Sequence, residues 1–288
     1  MEKVRLGVIG GSGLYEMEGL RELERVSIGT PFGAPSDDIV IGNLRGQRIA
    51  FLPRHGVGHR IMPTELPVRA NIYALKSLGV ERIISVSACG SMKEDIKPLD
   101  IVIPDQIYDN TKARPKTFFG QGLVIHIGLA EPFCPILSEV LYRAALEVGT
   151  TVHRGGTFIC IEGPQFSTRA ESRIYRQWGV DIIGMTVVPE AKLAREAEIC
   201  YATIAMVTDY DVWHGREGAV TVGMVVKNLQ RNVETAKNIL RAAMPMIPEE
   251  RDCVCASALR DAIITQKERI PAKAREELSL LIGKYLGG

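Results

Sequence analysis

Two carboxylates flank Tyr210 directly after the apolar stretch 199–207. A carboxylate at the end of a buried strand needs partners, because burying an unpaired charge is costly. We therefore expect Asp209 and Asp211 to be acceptors, the more buried of which has a raised pKa and can donate a proton. Such a pair can recognise a heterocycle with an exocyclic amine and protonate its leaving ring nitrogen. A solvated turn is the alternative.

A second group of residues has the chemistry of an anion site. The glycine turn 10–13 follows a predicted strand and contains Ser12. It matches neither a dinucleotide fingerprint, a P-loop nor a nucleophile elbow, but its N–H groups and hydroxyl can form a small anion nest. Arg54 and His55 follow another strand and offer a charged fork and one further donor to a phosphate. A plain turn and surface charges are the alternatives.

Hydroxyl groups follow two more predicted strands, at Ser87 and Thr186. Strands alternate with helices along the chain, which predicts an α/β fold with a mixed β-sheet core flanked by helices. The unbroken apolar stretch 199–207 predicts a central strand. Ligands bind where such strands end, so we expect the four turns to meet at one edge of the sheet. We expect one domain over residues 1–244, with residues 245–288 as a C-terminal helical extension packed on it.

The composition is that of a globular protein. The 288 residues are 46% hydrophobic and 24% charged, with a net charge of +1. The charge balance argues against nucleic-acid and anionic-membrane partners, so a bound anion needs a local site. No apolar run is long enough to span a membrane, and the N-terminal residues do not resemble a signal peptide. These features predict a cytoplasmic protein.

The six cysteines are too few for a secreted disulfide scaffold. Cys253 and Cys255 form the one unusual spacing. No second pair of Cys or His follows at zinc-ligand spacing, so we expect no metal site.

Six motifs occur in an order that resembles a known family. They are Gly10-Gly11-Ser12-Gly13, Arg54-His55-Gly56, Ser87-Ala88-Cys89-Gly90, Glu162-Gly163-Pro164-Gln165-Phe166, Gly184-Met185-Thr186-Val187-Val188-Pro189-Glu190 and Thr208-Asp209-Tyr210-Asp211. Together they resemble the trimeric purine nucleoside phosphorylases, and most closely the members that cleave 5′-methylthioadenosine. The last part of the chain, after residue 240, matches less well.

The resemblance implies phosphorolysis of an N-glycosidic bond, with phosphate as a co-substrate and no cofactor. It implies a homotrimer, or a hexamer built from two trimers. The implied phosphate ligands are Ser12, Arg54, His55, Ser87 and Thr186. The implied nucleoside contacts are Ala88, Cys89 and Gly90 along base and ribose, Met185 under the ribose, Phe166 on the purine, Asp209 and Asp211 at N7 and the 6-amino group, Val222, Val225 and Val226 around the 5′ substituent, and His126 from a neighbouring subunit.

Substrate choice rests on three positions. Relatives that prefer 6-oxopurines have Asn in place of Asp209, Glu in place of Ser167 and a His near Val222. These differences favour a 6-aminopurine with an apolar 5′ group, such as 5′-methylthioadenosine. A broader purine nucleoside phosphorylase is the alternative, and helix packing is the alternative for the valines. A nucleoside sensor or a hydrolase would not need the phosphate ligands.

The cysteines and His214 also enter through the resemblance. Some heat-stable archaeal members have disulfides, including a Cys-x-Cys pair, at positions similar to Cys134, Cys200, Cys253 and Cys255. A Cys134–Cys200 disulfide is one hypothesis, and free buried thiols are the other. His214 departs from the family pattern, which leaves open the role of the loop 212–219.

Overall fold

The computed structural model of the chain describes residues 4–214 and 222–287. It describes the backbone, but not the side chains, of Ser12, Tyr15, Val222, Met224, Val225 and Val226. Within this part of the chain the strands are β1 (Leu6–Gly10), β2 (Arg21–Val26), β3 (Ile39–Leu44), β4 (Gln47–Pro53), β5 (Arg82–Ser91), β6 (Ile101–Ile103), β7 (Gln106–Asn110), β8 (Val152–Arg154), β9 (Thr157–Ile161), β10 (Ile182–Gly184) and β11 (Cys200–Asp209). The helices are α1 (Val68–Ser77), α2 (Pro135–Glu147), α3 (Arg169–Gln177), α4 (Val187–Glu196), α5 (Val222–Ala243), α6 (Ala272–Glu277) and α7 (Ser279–Leu286).

The strands form one mixed sheet, as the sequence predicts. Its main path runs β2-β3-β4-β1-β5-β10-β9-β7, while β11 branches from β5 and continues to β6 and β8. Strand β1 is parallel to both β4 and β5, and β11 is parallel to β5. Because parallel strands end at the same edge, the chain segments that follow β1, β4, β5 and β11 are brought together.

The strand β11 is central, since all ten of its residues are buried. Its side chains alternate between two hydrophobic clusters, as the pleat of a strand requires. Tyr201, Ala205 and Val207 belong to a cluster with residues of α1, α4 and α7. Ala202, Ile204 and Met206 belong to a cluster with residues of α2 and α5. Helices therefore cover both faces of the strand that carries the two aspartates.

The C-terminal extension packs on the rest of the molecule. It contains two short helices, α6 and α7, which follow a largely irregular segment. Leu259, Ile270 and Leu281 are buried in the same cluster as α1 and α4. The domain boundary near residue 244 stays a prediction, since both large hydrophobic clusters contain residues from either side of it.

Three strands were missed by the sequence analysis. Strand β2 has the sequence RELERV and is almost wholly exposed, β7 is an edge strand of mostly polar residues, and β8 has three residues. Edge strands lack the apolar pattern on which strand prediction depends. None of the described helices is long and apolar enough to cross a membrane.

Candidate active site

The four turns that the sequence singles out do meet at one edge of the sheet. The Arg54 N–H donates to the Gly10 carbonyl oxygen at 2.9 Å, which joins the turns after β1 and β4. The Ser87 and Thr186 hydroxyls are hydrogen-bonded to each other, which joins β5 to the N-terminus of α4. Ser12 begins a short 3-10 helix directly after β1, although its side chain lies outside the described part. The backbone thus places polar groups from four segments together.

Arg54 is only 3% exposed, and its guanidinium is bound within the protein. Nε and Nη2 donate to the Glu190 carboxylate at 2.5 and 3.1 Å, and the pair is completed by donation to Val86 O at 2.9 Å and Ser85 Oγ at 2.7 Å. The Tyr201 hydroxyl donates to the same carboxylate at 2.8 Å. The sequence argument gave this charged fork to a phosphate, whereas the structure gives it to Glu190.

His55 is oriented by its own loop. Its Nδ1 lies 2.8 Å from the carbonyl oxygen of Ile61, and because a carbonyl only accepts, Nδ1 carries the hydrogen. Burial lowers the pKa of His55 to about 4, helped by the charge of Arg54, so the ring is neutral at neutral pH. Nε2 is then an acceptor rather than the donor that the sequence argument expected. It can accept from a protonated phosphate oxygen or from a sugar hydroxyl.

The two aspartates end β11 side by side. They are 6% and 7% exposed, so burial does not separate them. Asp209 Oδ2 accepts from the Thr208 hydroxyl at 2.6 Å, and Asp209 Oδ1 accepts from the Asp211 N–H at 2.8 Å. Gly90 on the neighbouring strand is packed so closely that a Cβ there would lie 2.9 Å from Asp209 Oδ1. Asp209 is therefore fixed in one orientation by its own chain neighbours and by the adjacent strand β5.

Asp211 differs from Asp209 in its electrostatics. Burial raises the pKa of Asp211, and the nearby Asp209 carboxylate raises it further. Its Oδ2 is buried and has no hydrogen-bond partner among the described residues. It also lies in the left-handed region, with φ of +51°, where a non-glycine residue is strained. Burial thus favours the protonated form of the Asp211 carboxyl group, while the hydrogen bonds of Asp209 make it an oriented acceptor.

The structure describes the residues that the resemblance assigns to the base and the ribose. Gly163 is packed against the Met185 sulfur, with no room for a Cβ, so the turn 162–164 and Met185 are in contact. Phe166 is 46% exposed, which excludes a core role for its ring. The Cys89 carbonyl accepts from the Thr208 hydroxyl at 3.1 Å. Burial raises the pKa of the Cys89 thiol, so this thiol stays neutral and is not a nucleophile.

Arg114 was missed by the sequence analysis. It is buried, and its guanidinium donates to the carbonyl oxygens of Met185 at 2.7 Å, Val188 at 2.6 Å and Glu162 at 2.6 Å. One side chain therefore joins the turn that carries Phe166 to the segment that carries Met185 and Thr186. An arginine that precedes Pro115 in a short basic stretch gives no local signal, because its acceptors are distant in sequence.

The profile of the phosphorylase superfamily matches residues 5–245 of this chain. The match includes every strand of the sheet and both aspartates. The chain belongs to the phosphorylase superfamily.

Named relatives of this phosphorylase resemble it over nearly their whole length. A Geobacter sulfurreducens protein named S-methyl-5′-thioadenosine phosphorylase is 61% identical over 287 residues, covering 99% of this chain and 100% of the relative. A Koribacter versatilis protein of the same name is 55% identical over 285 residues, covering 99% and 98%.

Two solved structures have the same fold. One is a methylthioadenosine phosphorylase from an antarctic soil metagenomic library, with a TM-score of 0.93, 50% identity, and coverage of 98% of this chain and 99% of that one. The other is a Schistosoma mansoni methylthioadenosine phosphorylase in complex with adenine, with a TM-score of 0.82, 40% identity, and coverage of 86% and 93%.

Several residues assigned by resemblance are not brought to the site by this phosphorylase chain alone. His126 is exposed, and its N–H donates to the Ala262 carbonyl of the C-terminal extension at 2.9 Å. The side chains of Val222, Val225 and Val226 lie outside the described part, as do residues 215–221 of the loop. His214 stacks on Tyr210 with ring centroids 4.5 Å apart and faces Glu94 at 3.6 Å.

The cysteines of this phosphorylase form a cluster remote from the aspartates. The sulfur atoms of Cys134, Cys200, Cys253 and Cys255 lie within 4.8 Å of one another, and all four are free thiols. The sequence analysis expected no metal site because it found no second pair of ligands near Cys253 and Cys255. The fold supplies that pair, since it brings Cys134 and Cys200 beside them. The Cys134–Cys200 disulfide stays a prediction.

Proposed function

We propose that the chain cleaves 5′-methylthioadenosine with phosphate, giving adenine and 5-methylthioribose 1-phosphate. One juxtaposition carries the proposal, namely that of the Ser87–Thr186 hydroxyl pair and the Asp209–Asp211 carboxyl pair. Ser87 pairs with Ala205, and Gly90 pairs with Asp209, along the parallel strands β5 and β11. An anion at the hydroxyls and a base at the carboxyls are therefore separated by about one sugar.

The phosphate half of the site supplies position and charge. The Ser87 and Thr186 hydroxyls, the start of α4 and the backbone after β1 are groups that bind anions. A phosphate held there attacks C1′ of the sugar as the C1′–N9 bond breaks, and the electron pair of that bond passes to the purine. The negative phosphate stabilises the cationic sugar of the transition state, so catalysis is mainly positioning and electrostatics.

The carboxyl half accepts the leaving base. Asp209, held by Thr208 and by the Asp211 N–H, is placed to share a proton with N7 or to accept from the 6-amino group. Asp211, whose pKa is raised by burial, can hold the proton that the departing purine needs. A 6-oxopurine would present an oxygen lone pair to the ionised Asp209 carboxylate, which is repulsive.

The names of the relatives support the methylthio substrate over a broad purine specificity. Another Schistosoma mansoni structure, 40% identical to this chain, is of an adenosine/methylthioadenosine phosphorylase. Adenosine is accordingly a second candidate substrate. An apolar pocket rejects an added hydroxyl only moderately, so we expect adenosine to be cleaved more slowly.

Three further parts of the proposal concern its surroundings. Phosphate is the only co-reactant, with no cofactor. The chain works as a homotrimer or hexamer, as the family resemblance implies, with the exposed His126 facing the sugar of a neighbouring subunit; light scattering of the purified protein tests the oligomeric state. The proposed location is the cytoplasm, which cell fractionation tests.

The deciding experiment measures adenine release from 5′-methylthioadenosine, with and without phosphate, beside adenosine and inosine. We expect strictly phosphate-dependent release, fastest for the methylthio substrate and negligible for inosine. Release without phosphate would make the protein a hydrolase. Fast cleavage of inosine would make it a general purine nucleoside phosphorylase.

A further inference from the structure

Four cysteine sulfurs enclose a single point between three separate chain segments. Cys134 is the N-cap residue of α2, Cys200 begins β11, and Cys253 and Cys255 belong to the C-terminal extension. Three of the side chains are buried and Cys253 is half-buried. The cluster is therefore largely enclosed by protein and is not a group of surface thiols.

The spacing of the sulfurs fits one tetrahedral metal ion. The zinc–sulfur distance is about 2.3 Å, so the sulfurs of a tetrahedral four-thiolate site lie about 3.8 Å apart. The Sγ atoms of Cys200 and Cys253 lie 3.3 Å apart, and no two of the four are separated by more than 4.8 Å. Small side-chain rotations are enough to reach the tetrahedron. Soft thiolates in this number select zinc over magnesium or calcium.

Charged side chains lie beside the cluster. Arg82, Arg251 and Glu250 line the opening that leads to Cys134, Cys200 and Cys253. Glu81 lies 3.7 Å from both arginines. Four thiolates and one Zn²⁺ carry a net charge of −2, and the two guanidinium groups are cations at the opening of such a site.

The arginines also fix the loop that supplies two of the sulfurs. Arg82 donates to the carbonyl oxygens of Pro248 at 2.6 Å and Glu250 at 2.8 Å. Arg251 donates to the carbonyl oxygen of Glu198 at 2.7 Å, next to the start of β11. The chain that leads into Cys253 is therefore held against β11 by contacts that do not involve sulfur, and the ligand positions are set in advance.

We propose that Cys134, Cys200, Cys253 and Cys255 bind one Zn²⁺ ion as thiolates in a closed structural site. Binding releases the four thiol protons to solvent and changes no oxidation state. The ion joins the C-terminal extension to the start of β11 and to the N-terminus of α2. It lies at the opposite end of β11 from Asp209, about 30 Å away at the usual rise per residue, so it acts on stability and not on the reaction.

The test measures zinc in protein purified with reductant and without chelator. We expect one zinc ion per chain by elemental analysis, and its release when a mercurial reagent titrates the four thiols. Replacing zinc with Co²⁺ should give the visible absorption of a tetrahedral cobalt–thiolate site. The C253S/C255S double variant should lose zinc and have a lower Tm, whereas C160S, a buried cysteine outside the cluster, should retain the ion.

Two outcomes would overturn the proposal. Substoichiometric zinc with four titratable thiols would leave a cluster of free cysteines. An intact mass lower by four hydrogens, restored by reduction, would show two disulfides instead. Both readouts use the wild-type protein, so they decide the question even if the double variant does not fold, and neither depends on the enzymatic reaction.

Discussion

Asp209 and Asp211 differ in the hydrogen bonds that their carboxyl oxygens accept. Both of its oxygens accept from protein donors, Thr208 and the Asp211 N–H, which fixes the carboxylate toward the base. Asp211 lacks such bonds at Oδ2 within the described residues and has a raised pKa. We therefore interpret Asp209 as the group that orients the base and Asp211 as the group that carries the proton.

Asp209→Asn tests the oriented acceptor. The amide keeps the shape but loses the charge that stabilises a protonated N7, so kcat/KM for 5′-methylthioadenosine should fall by about 100-fold or more. Steady-state kinetics measure this, with the exposed Asp105→Asn as the matched control. A value within a few-fold of wild type would remove Asp209 from the reaction.

The hydroxyl pair makes a separate prediction about phosphate. Ser87→Ala or Thr186→Val removes one donor, so the KM for phosphate should rise about 10-fold, the effect of a hydrogen bond to a charged group. The affinity for adenine should stay unchanged in calorimetry, since the base binds at the carboxyls. The control is Thr203→Val, a buried hydroxyl in the middle of β11. An unchanged phosphate KM would move the anion site elsewhere.

At the level of elements, Arg114 connects the turn after β9 to the start of α4. Its fork reaches the carbonyls of Ile161 and Glu162 on one side and those of Met185 and Val188 on the other. Arginine suits this task because its donors point in several fixed directions in one plane. We interpret Arg114 as a positioning residue for the two segments that carry Phe166 and Met185, the residues expected to contact the purine and the ribose.

Arg114→Lys keeps the charge and removes the fork. The KM for the nucleoside should rise about 10-fold. The KM for phosphate should rise less, because Ser87 stays fixed within β5 even if the segment that carries Thr186 shifts. A purely structural role would instead lower Tm and leave both constants unchanged. Arg143→Lys, on an exposed ion pair, is the matched control.

At the level of the whole molecule, one buried carboxyl ties stability to pH. Glu196 is 6% exposed, and burial raises its pKa to about 7 despite the hydrogen bond from the Phe118 N–H at 2.8 Å. Between its ordinary value of 4.5 and about 7, the folded chain retains a proton that the unfolded chain releases. The free energy of unfolding therefore falls as pH rises through this range, by about 3 kcal/mol from this group.

Glu196→Gln should remove this decrease in the free energy of unfolding, because the amide does not ionise. Urea denaturation at about pH 5 and about pH 8 should show the variant more stable than wild type at the higher pH, with a smaller difference at the lower one. The exposed Glu234→Gln is the control. Equal pH dependence in variant and wild type would show that Glu196 is ionised in the folded protein.

The sequence determined the features that depend on local pattern. The apolar stretch 199–207 predicts a buried central strand, and β11 is one, because a strand covered on both faces has no polar positions. The parallel pairing of β5 with β11 brings Ser87 and Asp209 toward one edge of the sheet. Thr186 follows β10, which is antiparallel to β5, so only the fold places its hydroxyl beside Ser87.

Tertiary structure decided what depends on partners distant in the chain. Arg54 is charged and follows a strand, but only the fold places Glu190 against it and so takes its fork from the phosphate. The tautomer of His55 depends on the Ile61 carbonyl, and the role of Arg114 depends on four acceptors from two loops. The cysteine cluster is the same case, since spacing along the chain does not reveal which thiols share one point in space.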